Sequence, residues 1–248
     1  MRILIFGASG MIGQAAMLAA LADPDVREVL SLVRRPTGQT HPKLHEIIRE
    51  DFLDYTDLAD DFSKVDACLF CLGVISSSVD ADRYVRITHD YSLAAGTALL
   101  AANPDASFIY VSGAGTDSTE TSKTLWRRVK GKTENALMAL PFRGAFMLRP
   151  SFIQPIDGVT SRTPLYRVFY AAISPLLTPL RRVAPGAVIT STDLARAMLA
   201  LARDGRGKAV LGARQLNKIA QGGAGDAAVE QDRPERRSGR SAASRRHG

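Results

Sequence analysis

Cysteine is almost missing from this chain of 248 residues, which holds only Cys68 and Cys71. Two cysteines cannot build a disulfide framework, and their C-x-x-C spacing invites a redox or metal reading instead. Geometry argues against it. Asp66-Ala67-Cys68-Leu69-Phe70-Cys71-Leu72 reads as a buried strand, on which residues three apart point to opposite faces, so both are expected as structural thiols with no metal between them. Long apolar runs are missing too: the nearest, Val168 to Leu180, is interrupted by Pro175 and Pro179 and falls short of the roughly 20 residues a membrane span needs. Aromatic residues are only 6% of the chain. Residues 222–248 contain no Phe, Tyr or Trp, and six Arg stand there against four Asp or Glu among Gly, Ala and Ser. That composition predicts a disordered basic tail, and without aromatic stacking platforms nucleic acid is not the expected partner.

What remains is 46% hydrophobic and 23% charged, ordinary for one sizeable globular core. Its most informative stretch is Arg2-Ile3-Leu4-Ile5-Phe6-Gly7-Ala8-Ser9-Gly10-Met11-Ile12-Gly13, followed by the helix-forming Gln14-Ala15-Ala16-Met17-Leu18-Ala19-Ala20-Leu21. Arg2 is the only leading charge and the glycines interrupt the apolar run, so it reads as a first strand and helix rather than a signal peptide, and a cytoplasmic protein is expected. A strand entering glycines spaced G-x-x-G-x-x-G and leaving in a helix is suited to a dinucleotide pyrophosphate. Gly7 permits the turn, Gly10 admits the phosphate without a Cβ in the way, Gly13 lets helix and strand approach, and the helix N-terminus offers N–H groups to the anion.

Apolar strands at Ile3–Phe6, Val29–Val33, Glu46–Ile48, Ala67–Leu72, Phe108–Val111 and Ala145–Leu148 alternate with helical stretches near 12–22, 55–63, 82–102 and 123–139. This alternation predicts an α/β fold, a doubly wound parallel sheet of the Rossmann kind with helices on both faces. Residues 1–221 are expected as one nucleotide-binding domain, within which 150–221, with the aromatics Tyr166, Phe169 and Tyr170 and a helix near Thr192–Met198, form a small capping lobe over the cofactor crevice.

In such sheets ligands bind at the carboxyl ends of the strands. After the second strand a carboxylate about 20 residues beyond the glycines would select NAD, whereas Arg there suits a 2′-phosphate. No acid occupies the place; Arg34 and Arg35 do, so NADP(H) is expected over NAD(H). Asp51-Phe52 follows the third strand, where Asp51 could accept from the adenine amino group and Phe52 cover the ring, with a helix cap at Asp54 equally open. Leu72-Gly73 offers bare backbone after the fourth strand. His89-Asp90 pairs the residue types of a base and its orienter, but adjacent residues of a helix do not share a face, so a packing or surface role is expected.

The fifth strand ends Val111-Ser112-Gly113-Ala114-Gly115, and the next helix carries Trp126-Arg127-Arg128-Val129-Lys130-Gly131-Lys132-Thr133-Glu134. With the glycine motif and the Asp51 loop, these features resemble, over roughly residues 1–220, the short-chain dehydrogenase/reductase superfamily, and within it the small atypical members related to Tat-interacting protein and to the NmrA-like and epimerase-like reductases. The resemblance implies catalysis by a Tyr-x-x-x-Lys pair on one helix face, in which the Lys binds the nicotinamide ribose and lowers the Tyr pKa while the Tyr exchanges a proton with the substrate oxygen. Lys130 matches the family Lys. Trp126 stands where the Tyr belongs, and an indole only donates hydrogen bonds. Ser112 is the candidate family Ser, and Pro150 and Phe152 are implied contacts of the nicotinamide.

Two functions stay open. One is an NADP(H)-dependent oxidoreductase acting on a small carbonyl or hydroxyl compound, with too little chain after the sixth strand for a nucleotide-sugar pocket. The other is a non-catalytic NADP(H)-binding sensor or assembly factor acting through a protein partner, for which retained glycines and a lost Tyr are the expected pattern.

Overall fold

The computed structural model describes residues 1–156 and 186–222. Its strands are β1 (Arg2–Phe6), β2 (Glu28–Val33), β3 (Leu44–Ile48), β4 (Ala67–Phe70), β5 (Ser107–Val111), β6 (Gly144–Arg149), β7 (Phe152–Gln154), β8 (Val188–Thr190) and β9 (Gly207–Gly212). Seven of them form one sheet in the order β3-β2-β1-β4-β5-β6-β9, every neighbouring pair parallel. The chain reverses direction across the sheet between β1 and β4, which opens a crevice at their carboxyl ends. The helices are α1 (Met11–Ala22), α2 (Ala59–Phe62), α3 (Ala81–Val85), α4 (Tyr91–Ala102), α5 (Leu125–Ala139), α6 (Ser191–Asp204) and α7 (Ala213–Ala220). None is long and apolar enough to cross a membrane among the described residues.

Both faces of the sheet are covered, which is why the strands read as unbroken apolar runs. All five residues of β1 are buried: Ile3 and Ile5 join one core with α1, α6 and α7, while Leu4 and Phe6 join the other. Most of the aromatics among the described residues gather in the second core. Phe6, Phe52, Tyr55, Phe70, Phe108 and Phe142 lie there with neighbouring ring centroids 4.9 to 6.3 Å apart. The first core, apart from Phe146, is filled by Ala, Leu, Ile, Val and Met, because the alanine-rich α1 and α6 lie close to the sheet and to each other. Cys68 is in the aromatic core and Cys71 packs against the opposite one, so their thiols lie on opposite faces; burial pushes Cys71 up to about 12 and Cys68 well above the usual thiol range.

One stretch departs from the expected pattern. The helix read over 82–102 is interrupted by a π-helical turn, Arg86–Asp90, in which the Tyr91 N–H donates to the Arg86 carbonyl. That turn brings Nδ1 of His89 to 3.0 Å from the Asp90 carboxylate, a contact a regular α-helix would not provide. Among the described residues of 150–221, β7 and β8 form a separate two-stranded ribbon, while β9 extends the main sheet beside β6 and α6 and α7 close its first core. Tyr166, Phe169, Tyr170 and the basic tail beyond Gly222 lie outside the described residues.

Candidate cofactor and active site

The turn after β1 is built for close approach. Gly7 has φ +78°, and a Cβ there would lie 2.7 Å from backbone atoms of Cys71 and Leu72. At Gly13 a Cβ would be 2.1 Å from the Gly7 carbonyl oxygen, so α1 can rest on the turn only without one. Gly10 is different: a Cβ would meet just the Gly7 carbonyl oxygen at 3.4 Å, and the exposed space above it is open. No side chain caps α1 at Gly10, and its first turn contains no acid. Ala8 is buried, Ser9 half-buried, and Met11 and Ile12 pack against the core. The first N–H groups of α1, which have no partner within the helix, together with its positive dipole end, fit a dinucleotide pyrophosphate.

Beside this turn lies a cleft of about 510 Å³ lined by Arg34, Glu50, Phe52, Leu72, Gly73 and Tyr91, with Arg83 and Arg86 from the α3 segment. Leu72 connects the two features, since its backbone abuts Gly7 and its neighbour Gly73 has no atom within 4 Å of a Cβ position. Arg34, at the end of β2, lines the cleft; Arg35 is exposed and does not. Asp51 is likewise outside the lining. Its carboxylate accepts from the Leu53 N–H at 3.1 Å in a local turn, and Glu50 lines the cleft instead. Phe52 is 2% exposed, its ring 5.6 Å from that of Tyr91, so it belongs to the wall of the cleft and is not a mobile cover. Asp54 caps the following turn through the Thr56 N–H at 3.0 Å. Glu50, Arg83, Arg86 and Tyr91 had no motif to announce them.

The other end of the crevice is organised by α5. The Lys130 ammonium donates to the Ser112 carbonyl at 2.5 Å and the Val111 carbonyl at 3.5 Å, and stands 5.9 Å over the Tyr110 ring. Burial pushes its pKa down to about 8, opposed by the Glu134 carboxylate one turn along the helix. Ser112 does not direct its hydroxyl at a ligand: it is buried and lies within bonding reach of Glu134 and of the Leu148 carbonyl. Glu134, 1% exposed, is gripped by Arg149, whose Nε lies 3.1 and 3.2 Å from its two oxygens. Trp126, one turn before Lys130, is half-buried and fills the space over Gly115. The Pro150 carbonyl accepts from the Ala114 N–H at 2.9 Å, which ties the β5 and β6 ends together, and Phe152 is 53% exposed on β7. Tyr84 is buried with its hydroxyl pushed up by desolvation, and Tyr91 belongs to the Arg34 end.

Residues 3–125 match the NAD dependent epimerase/dehydratase family. These similarities support an atypical short-chain dehydrogenase/reductase, and the chain has the Rossmann fold. Protein HTATIP2 of Rattus norvegicus is 28% identical to it over 153 residues, which is 61% of this chain and 62% of that protein, so the match spans less than two thirds of the relative. Solved structures share the fold at low identity. An oxidoreductase of the short-chain dehydrogenase/reductase family from Burkholderia thailandensis superposes with a TM-score of 0.61 at 19% identity, over 89% of this chain and 92% of that one. The UDP-glucuronic acid 4-epimerase of Bacillus cereus, in complex with NAD, gives 0.59 at 16% identity over 86% and 78%.

Proposed function

We propose that this protein binds NADP(H) along the carboxyl edge of the sheet and uses it as an oxidoreductase on a small carbonyl or hydroxyl compound. The observation that carries the reading is the open N-terminus of α1 over Gly10, continuous through Leu72–Gly73 with a cleft that Arg34 enters and Asp51 does not. The cofactor would supply the hydride. The chain's residues bind and position: the α1 N–H groups hold the pyrophosphate, Phe52 and Tyr91 flank the adenine end, and Lys130 presents its ammonium at the nicotinamide end. With an indole at position 126, Lys130 is the group there whose proton is released nearest neutrality, at about 8, and general-acid work needs a pKa of that order. Among the described residues after β6, β9 extends the main sheet and α6 and α7 close its first core instead of walling a pocket, which supports a small substrate over a nucleotide sugar.

A second reading, a cofactor-holding sensor or assembly factor with a protein partner, is favoured by Trp126 over Gly115 and by the Ser112 hydroxyl turned to Glu134. Trp126 is the only tryptophan. Titration with NADPH or NADH while exciting that indole should give nicotinamide emission by energy transfer, with NADPH the tighter ligand; no transfer with either would overturn the cofactor reading. NADPH oxidation by a panel of small carbonyl compounds, abolished in Lys130→Ala, supports the enzyme. Activity that arises only in Trp126→Tyr supports the sensor.

A further inference from the structure

We infer that Arg83 and Arg86, with Arg34, form a clamp for the 2′-phosphate of the cofactor's adenosine, and that this clamp rather than Arg35 selects NADP(H); the inference rests on the cofactor reading above. The three guanidiniums reach the cleft from two elements, Arg34 from the end of β2 and the others from α3 and the π-helical turn after it. Among the described residues none of the three has an ion-pair or hydrogen-bond partner for its side chain. Arg83 and Arg86 are three apart, so they share a helix face, and like charges so placed repel unless an anion lies between them. Two carboxylates, Glu50 and Asp82, line the same cleft and leave the cations in excess by one. Asp80 fixes the start of α3 by accepting from the Arg83 N–H at 2.8 Å, which holds the backbone from which that guanidinium projects.

The position within the cleft identifies the anion. The pyrophosphate belongs at the N-terminus of α1, and the base lies against Phe52 and Tyr91, so a further anion near the end of β2 corresponds to a phosphate on the adenosine ribose. Planar guanidinium forks suit a phosphate monoester, which accepts two parallel hydrogen bonds from each. Glu50 is then placed for the hydroxyl or amino donors of the adenosine instead of the phosphate.

Calorimetric titration of the native protein, Arg83→Ala and Arg86→Ala with NADP⁺, NAD⁺ and 2′,5′-ADP tests the clamp. Each variant should lose roughly tenfold or more in affinity for NADP⁺ and 2′,5′-ADP, since a charge-assisted bond to phosphate is removed, while NAD⁺ binding stays within about twofold and reports an intact fold. Equal losses for NADP⁺ and NAD⁺, or no loss for either, would overturn the clamp and leave the cofactor reading standing. Native protein that binds NAD⁺ without preferring NADP⁺ would overturn the clamp and the NADP(H) preference while leaving dinucleotide binding standing. Failure of the native protein to bind any of the three would remove the cofactor reading and the clamp together.

Discussion

The middle and last glycines of the motif differ in what they tolerate. Gly13→Ala would drive a Cβ to within 2.1 Å of the Gly7 carbonyl oxygen, so α1 must shift, and overpacking of this kind destabilises by about 1–3 kcal/mol. Gly10→Ala meets only one atom, at 3.4 Å, and should leave the melting temperature nearly unchanged while weakening NADPH binding by at least about tenfold, because its Cβ enters the space left for the phosphate. Thermal melts beside fluorescence titrations separate the two effects. Lys130 gives a second prediction. Its pKa is depressed from the usual 10.5 to about 8, so NADPH affinity in the native protein should fall as pH rises through 8, and Lys130→Met should remove that dependence. Stability runs the other way: between about 8 and 10.5 the unfolded chain holds the proton more tightly than the folded one, so this residue's contribution to stability grows as pH rises across that window. Urea unfolding of native and Lys130→Met protein at several pH values checks the sign.

Between elements, the contact of most consequence joins α5 to β6. Glu134 on α5 is almost fully buried and is bonded by Arg149 at the end of β6 and by Ser112 at the end of β5, with the Arg149 guanidinium also 2.5 Å from the Ser118 hydroxyl. Breaking such a pair on one side leaves a buried charge without its partner. Glu134→Leu or Arg149→Met should each cost about 3–5 kcal/mol in denaturant unfolding, and the double variant should recover much of the loss. If the losses simply add, the pair is not the coupled unit described. The same network explains why the β5 strand end read so readily as catalytic: Ser112 stands at the expected sequence position, but its hydroxyl direction depends on a carboxylate 22 residues later. The interruption of 82–102 is another effect between elements. The π-helical turn changes the facing of the residues after it, and Tyr91 comes to lie against Phe52 in the cleft.

At the scale of the whole molecule, the described C-terminal elements are structural. β9 pairs with β6 from Gly144 to Arg149, and Ala209, Leu211, Leu216 and Ile219 share a core with Ile3 and Ile5. A chain ending at Arg206 should therefore fail to fold, since it leaves β6 as an exposed edge and opens the first core. A chain ending at Gly222 should keep the melting temperature and NADPH affinity of the full one. Circular dichroism melts and the fluorescence titration on both truncations test this.

Local chemistry was enough to read the parallel Rossmann sheet, the turn over α1 and the opposed thiols, because each rests on residues close in sequence: apolar runs for strands, glycines where a Cβ has no room, and thiols three apart, on a strand and on the residue just past its end. The tertiary structure alone decided which charges meet. That Arg34 and not Arg35 enters the cleft, that Arg83 and Arg86 arrive there from another element, that Ser112 turns to Glu134, and that β9 completes the sheet all depend on side-chain directions and on pairing between distant segments. Those contacts are set by how elements pack against one another, and a spacing along the chain does not contain them.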